Sequence, residues 1–396
     1  MMAIVTVAAY GVTMFVDMGI AQSIVQNERG NDPAFVNTAW SIQIILGFLI
    51  FGGLSALALP LAKIYDVPQL AAMLPVVGLS AIINGFNSTK LYTAQRNLEA
   101  KRVTLIEVGT YTIGLLITIY LAWLMQSVWA LVFGGAISTT LKMFATHVML
   151  HGIKNKITWE RDAAMHLIRF GRWIMWSSVL TFLSVEGGRL LIGALLDMRE
   201  LALFTLASTM NLMFWQAIQQ LAGKVFFPAY AEVYRGNPNN LFSVLFKARL
   251  LIILPSWFLS VFFVFFGSQL MEFLYDERYH GSGVMLELLA AGSLVGCVWG
   301  SYTGVLLAMG KVATMTVLTA IQILCQIGGM VIGYLYLGGA GIVVGIAAAN
   351  WIMYIVQAVV MYRNGLLQLK LDMIFFAVSV LIIVLAWPHM MLILGA

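Results

Sequence analysis

Glu186 and Arg189 stand three residues apart inside Trp176–Leu196, an apolar stretch long enough to cross a bilayer as a helix. A charge at that depth costs roughly 2.5–3.5 kcal/mol on insertion scales, so two of them need each other, a water-filled cavity or a task. Their spacing puts them on one helix face, where they can pair. Arg189 also has the planar fork that clamps a phosphate-type oxyanion in bidentate fashion. Glu186 is a candidate for ion coupling, because burial and Arg189 act on its protonation in opposite directions; a permanently paired carboxylate is the alternative. Three further bases lie within or close to apolar runs: Lys90, Lys142 and Lys224. Each is either a cavity cation or a side chain that snorkels to the headgroups. Gln216, Gln220 and Lys224 recur every four residues and predict a polar stripe down one helix face. Asp17 is a second ion-coupling candidate, with bonding to backbone groups near the surface as the alternative. The sequence holds no nucleophile with a base, no metal-ligand spacing and no glycine-rich phosphate loop, so it predicts no catalytic residues, metal or cofactor.

Membrane helices must position these side chains. Of 396 residues, 61% are hydrophobic and 10% charged, against roughly 25% charged in soluble domains. The expected fold is an all-α polytopic membrane protein with about twelve spans, the first at Met2–Gln26 and the last at Met373–Ile393. Connections are short. The longest polar interval, His151 to Arg172, predicts a cytoplasmic amphipathic helix with Trp159, Met165, Leu167, Ile168 and Phe170 as its apolar residues. Alternate connections sort by charge, with 18 of the 22 Lys and Arg on one side and Lys63, Arg199 and Arg278 on the other. That asymmetry marks the first side as cytoplasmic and accounts for the basic balance without nucleic acid. It also places Met1 outside with no signal sequence ahead of it, which predicts one further helix upstream. Cys297 and Cys325 fall inside apolar runs and imply no disulfide.

A weak repeat divides the chain. Phe15 to Pro33 and Trp215 to Pro238 both end an inward-running helix with a polar stretch, and both close on Arg-Gly-Asn and a proline. The expected organisation is an N-terminal lobe of five helices at 1–150, an amphipathic linker at 151–172, a six-helix lobe at 173–365 and an added helix at 366–396.

Several stretches resemble the oligosaccharide flippases of the polysaccharide-transporter family, in the superfamily that also holds multidrug exporters. They are Asp17-Met-Gly-Ile-Ala-Gln-Ser-Ile-Val-Gln26, the basic loop Gln95 to Glu107, Arg169-Phe-Gly171 with Trp173, Val225-Phe-Phe-Pro228-Ala-Tyr, and Gly304 to Lys311. Each motif is weak, whereas the ordered set covers nearly the whole chain. The resemblance implies two pseudo-symmetric helical lobes in a V around a central cavity, with the first family helix missing ahead of Met1. It implies a flippase in the bacterial inner membrane that moves undecaprenyl-diphosphate-linked oligosaccharide by alternating access with ion coupling. Arg189, Lys224, Lys142, Lys90, Gln216 and Gln220 would then meet the pyrophosphate and glycan. Glu186 and Asp17 would serve coupling. Partners implied are the lipid-linked oligosaccharide, membrane lipids, and a polysaccharide polymerase with its chain-length machinery. Rival readings are an ion-coupled drug exporter of the sister family, an inactive truncated remnant and a membrane polysaccharide polymerase or ligase. The interior bases disfavour the exporter, and the short outside connections disfavour the polymerase.

Overall fold

The computed structural model describes residue 11 and residues 19–64, 67–275, 279 and 281–394, with the side chains at 185–187, 189, 190, 194, 198, 214, 217, 218, 221, 222 and 387–394 left out of the description. The described residues form helices and connections, without strands. Among the described residues, six helices are long and apolar enough to cross a membrane, or seven if a pair bent by 57° is one span. Large apolar side chains on them face outward, among them Leu49, Leu116, Trp123, Leu251 and Leu335. In water such surfaces would aggregate; against lipid tails they are at home. The protein is a multi-pass membrane protein.

Two compact units divide within one helix, at Ser178 and Val179. In the first unit, α1 (Ile20–Gln26) leads to the long α2 (Pro33–Ile64). Then come α3 (Leu70–Gly85) and α4 (Lys90–Arg96), the bent pair, and the hairpin of α5 (Ala100–Met125) and α6 (Trp129–Val148). α7 (Arg161–Leu195) starts in this unit and ends in the second. α8 (Met198–Leu221) runs into a π-helical turn, Ala222–Phe226, followed by α9 (Phe227–Gly236). The long α10 (Leu241–Leu274), α11 (Gly281–Gly300) and the short α12 (Thr303–Ala308) come next. α13 (Val312–Arg363) is a 52-residue hairpin whose arms meet at Gly338, where φ 62° and ψ −142° break the helix. α14 (Leu369–Leu394) completes the second unit.

The element order of α1 to α6 returns in α9 to α13. α1 packs on α4 as α9 packs on α12; α2 packs on α3 as α10 packs on α11; α3 meets α6 as α11 meets α13. Local backbone detail repeats too. After α4, Leu98 is left-handed (φ 58°), and the Glu99 N–H donates to the Ala94 carbonyl at 2.9 Å. After α12, Gly310 is left-handed (φ 71°), and the Lys311 N–H donates to the Leu306 carbonyl at 2.9 Å. Both are helix stops of the Schellman kind.

The interval expected as an amphipathic helix differs. Residues 151–160 run without helix, and helix begins only at Arg161 and continues past Trp173. The reason lies on α2, whose buried Asn37, Thr38 and Ser41 form a polar ladder one to two turns deep. Asn37 Oδ1 accepts from the Lys156 N–H at 3.0 Å, and Thr38 Oγ1 accepts from the Glu160 N–H at 3.0 Å. Ser41 Oγ donates to the Thr158 carbonyl at 2.8 Å. With its backbone groups satisfied from the side, the segment gains nothing by coiling.

Candidate functional site

Asp17 and the side chains of Glu186 and Arg189 lie outside the described residues. The backbone carrying Glu186 and Arg189 belongs to α7, which passes through Gly187 and Gly188 without a break. Gln216 and Gln220 are exposed on α8, and Lys224 is exposed on the π turn that follows. Lys90 Nζ donates to the His147 carbonyl at 3.1 Å, tying α4 to the end of α6. Lys142 Nζ lies 4.0 Å from Glu107 Oε1, across α5 and α6. Glu107 therefore faces Lys142, while Arg102 pairs with Glu99 at 2.9 Å.

Two bases that sort with the cytoplasmic connections by charge are buried. Arg96 donates through Nη1 to the Ile24 carbonyl at 2.8 Å and the Val25 carbonyl at 3.0 Å, and also to the Asn27 carbonyl. It thus closes the open carbonyl end of α1, where the helix dipole favours a cation. Arg249 is fully buried on α10, with its Nη2 2.5 Å from Asp372 Oδ1 in the first turn of α14. Its Nε donates to Ser301 Oγ at 2.8 Å and Nη1 to Gln368 Oε1 at 3.2 Å, and its guanidinium lies 3.5 Å from the centre of the Tyr302 ring. Tyr302 Oη donates to Asp372 Oδ2 at 2.9 Å and accepts the Gln368 N–H at 3.0 Å. Every charged group in this cluster has partners on more than one element, which is the condition for keeping an ion pair away from water. The sequence offers one signal for it, an aspartate at the start of a strongly apolar helix.

The second unit also holds a half-open cavity of about 200 Å³. Trp215 and Gln219 of α8, Trp299 and Gly300 of α11, and Thr303 of α12 line one side; Thr319, Gln322 and Gln357 of the α13 arms line the other. Gln357 is buried, and the Trp299 indole N–H is buried without an acceptor. Among the described residues, no charged side chain lines this cavity. Its walls come from four elements, so no local spacing in the chain announces it.

The family described as polysaccharide biosynthesis protein matches residues 1–283. The lipopolysaccharide biosynthesis protein WzxC of Escherichia coli (strain K12) is 19% identical over 353 residues, which cover 88% of this chain and 70% of that protein. Among solved structures, a MOP superfamily transporter from Pyrococcus furiosus superposes with TM-score 0.70 at 16% identity, over 89% of this chain and 83% of that one. A mutant of the Vibrio cholerae MATE transporter VcmN superposes with TM-score 0.70 at 14% identity, over 94% of this chain and 88% of that one. At these identities the structures share the fold.

Proposed function

The chain belongs to the polysaccharide biosynthesis protein family, and we propose that it is a flippase of the bacterial inner membrane. It carries undecaprenyl-diphosphate-linked oligosaccharide from the cytoplasmic to the outer leaflet by alternating access, with ion coupling. The observation that carries this reading is the repeat itself, the element order and packing of α1 to α6 returning in α9 to α13. Internal repeats are the common construction of secondary transporters, in which one repeat moves against the other around a fixed site. The similarity to WzxC, a lipopolysaccharide biosynthesis protein, supports a role in making a surface glycan. Arg189 and Lys224 are the cations assigned to the pyrophosphate, with Gln216 and Gln220 beside Lys224. Lys90 and Lys142 are assigned lesser parts, because His147 and Glu107 already engage them. Glu186 and Asp17 serve coupling.

Deleting the gene in a strain with no second translocator should abolish the surface polysaccharide and accumulate its lipid-linked repeat on the cytoplasmic side. Unchanged polysaccharide would end the flippase reading. Complementation with Arg189→Ala should fail, and with Arg189→Lys should restore export in part; full export in both removes Arg189 from the mechanism.

A further inference from the structure

We propose that the cavity between α8, α11, α12 and the arms of α13 is a binding site for one neutral sugar ring. Its chemistry selects by exclusion. An anion such as a pyrophosphate or a uronic acid, or a cationic drug, would give up water there for a lining that offers no counter-charge among the described residues. A purely apolar ligand would leave the amides of Gln219, Gln322 and Gln357 unpaired. What remains is a neutral, hydroxyl-rich molecule with an apolar face. Amides both donate and accept, which suits hydroxyl groups that do the same. Thr303 Oγ1 donates its hydrogen to the Gly300 carbonyl at 2.7 Å, so toward a ligand it is an acceptor. The indole rings of Trp215 and Trp299 give the apolar walls.

Size narrows the ligand further. At about 200 Å³ the cavity is smaller than the roughly 300–1,000 Å³ of sites for drug-sized molecules, so it takes a single ring. Gly300 keeps that space open. A Cβ at this position would stand 2.6 Å from Trp215 Cη2 and 3.2 Å from Gln219 Nε2, driving the indole into the cavity.

The inference rests on the flippase reading for the source of the sugar, a residue of the carried glycan, but its test needs no transport. Saturation-transfer NMR on the purified full chain in lipid nanodiscs would use glucose, galactose, mannose and N-acetylglucosamine, each alone, with glucuronate as the charged control. At least one neutral sugar should receive saturation, an excess of unlabelled second neutral sugar that also binds should compete it away, and glucuronate should receive none. Gly300→Ala should weaken the signal at least tenfold. Gln357→Leu, which removes an amide and adds no bulk, should do the same in protein that elutes and melts as the parent does. Silence from all four sugars, equal transfer to glucuronate, or full transfer in a well-folded Gln357→Leu variant would each overturn the site. Sugar binding without an export defect on gene deletion would overturn the flippase reading and keep the site; the reverse would keep the flippase and remove the site.

Discussion

Each unit takes the chain leaving its helical hairpin and fastens it to its long helix, and the two do so with opposite chemistry. In the first unit, 155–160 is held on α2 by Asn37, Thr38 and Ser41, and on the α3–α4 turn by Asn155, which donates to Thr89 Oγ1 at 2.6 Å. In the second, Gln368 and Asp372 are held on α10 by Arg249, and on the α11–α12 turn by Tyr302. Ser41 and Arg249 stand at the same depth of their helices, counted from Pro33 and Leu241. Neutral side chain–backbone bonds are each worth about 1 kcal/mol net and tolerate loss. A buried ion pair is different: its formation contributes little, yet removing one member leaves an uncompensated charge. One architecture thus has a fastening that fails gradually and one that fails all at once.

The largest expected effect breaks that contrast. Asp372→Ala should destabilise by about 3–5 kcal/mol, because Arg249 stays buried without its carboxylate. Arg249→Met combined with Asp372→Leu should return most of the loss, since replacing both ions leaves no orphaned charge. Ser41→Ala should cost about 1 kcal/mol. Thermal midpoints of the purified protein in one detergent rank the three. A double variant as unstable as Asp372→Ala would show that the network of Tyr302, Ser301 and Gln368 requires the charges themselves.

The hairpins differ in the same sense. α5 and α6 meet where Gly114 faces Ser138 and Gly134 faces Thr118. The arms of α13 meet where Gly329 faces Gly345 and Gly333 faces Gly341, with the same four-residue spacing. A Cβ at Gly114 would strike the Ser138 side chain, and a Cβ at Gly345 would strike the Gly329 carbonyl. Hydroxyl side chains can be removed, whereas backbone cannot. Gly345→Ala should therefore cost about 1–3 kcal/mol or separate the arms, as overpacking does, with no second-site cure. Gly114→Ala should be rescued by Ser138→Gly, read as recovery of the thermal midpoint. Rescue failing in the first unit would erase the distinction.

Much of this design was legible from the chain, and the reasons are physical. Bilayer thickness fixes the length of apolar runs. The repeated Arg-Gly-Asn lies shortly after the end of α1 and across the end of α9. Arg249 and Asp372 are far apart in sequence, and a base in a cytoplasmic connection reads the same whether exposed or buried; only packing of α14 on α10 and α11 distinguishes the two. The cavity escaped for a like reason, since Trp215, Trp299 and Gln357 read singly as membrane-helix residues. The non-helical course of 151–160 has no signal within the segment, because Asn37, Thr38 and Ser41 bond its backbone from α2.

A smaller effect sharpens the comparison of the two helix stops. Leu98 occupies the left-handed position that Gly310 fills in the second unit. That conformation costs a side-chain-bearing residue roughly 1–2 kcal/mol, and glycine returns roughly 0.5–1 kcal/mol of it through its larger unfolded-state freedom. Leu98 is exposed, so its removal forfeits little burial. Leu98→Gly should raise the thermal midpoint by the equivalent of under about 1 kcal/mol, and Gly310→Leu should lower it by a similar amount. Opposite signs would mean that the two stops are alike in outline alone.

The smallest effect concerns pH, and it falls on the first unit. Arg29 Nη2 bridges Asp32 Oδ2 at 2.5 Å and Glu160 Oε2 at 2.8 Å, joining the α1–α2 connection to the fastened segment at an exposed site. The hydrogen bond from Arg29, and then the Ala34 N–H, hold the Asp32 carboxyl below the usual carboxylate range. A carboxyl with a lowered folded-state pKa stabilises above its unfolded value, near 3.9, and loses that contribution as pH falls through the folded value. The thermal midpoint of the parent should therefore exceed that of Asp32→Asn slightly between pH 5 and 8, and the two should converge below about pH 4. Exposure also leaves the bridge open to screening, so the gap at pH 7 should shrink in about 1 M salt, where the Debye length is about 3 Å. The Arg249–Asp372 pair is closed to solvent, and the penalty of Asp372→Ala should stay nearly constant over the same salt range. Equal salt dependence at the two sites would show that water reaches Arg249, and the contrast between a solvated and a sealed fastening would fall with it.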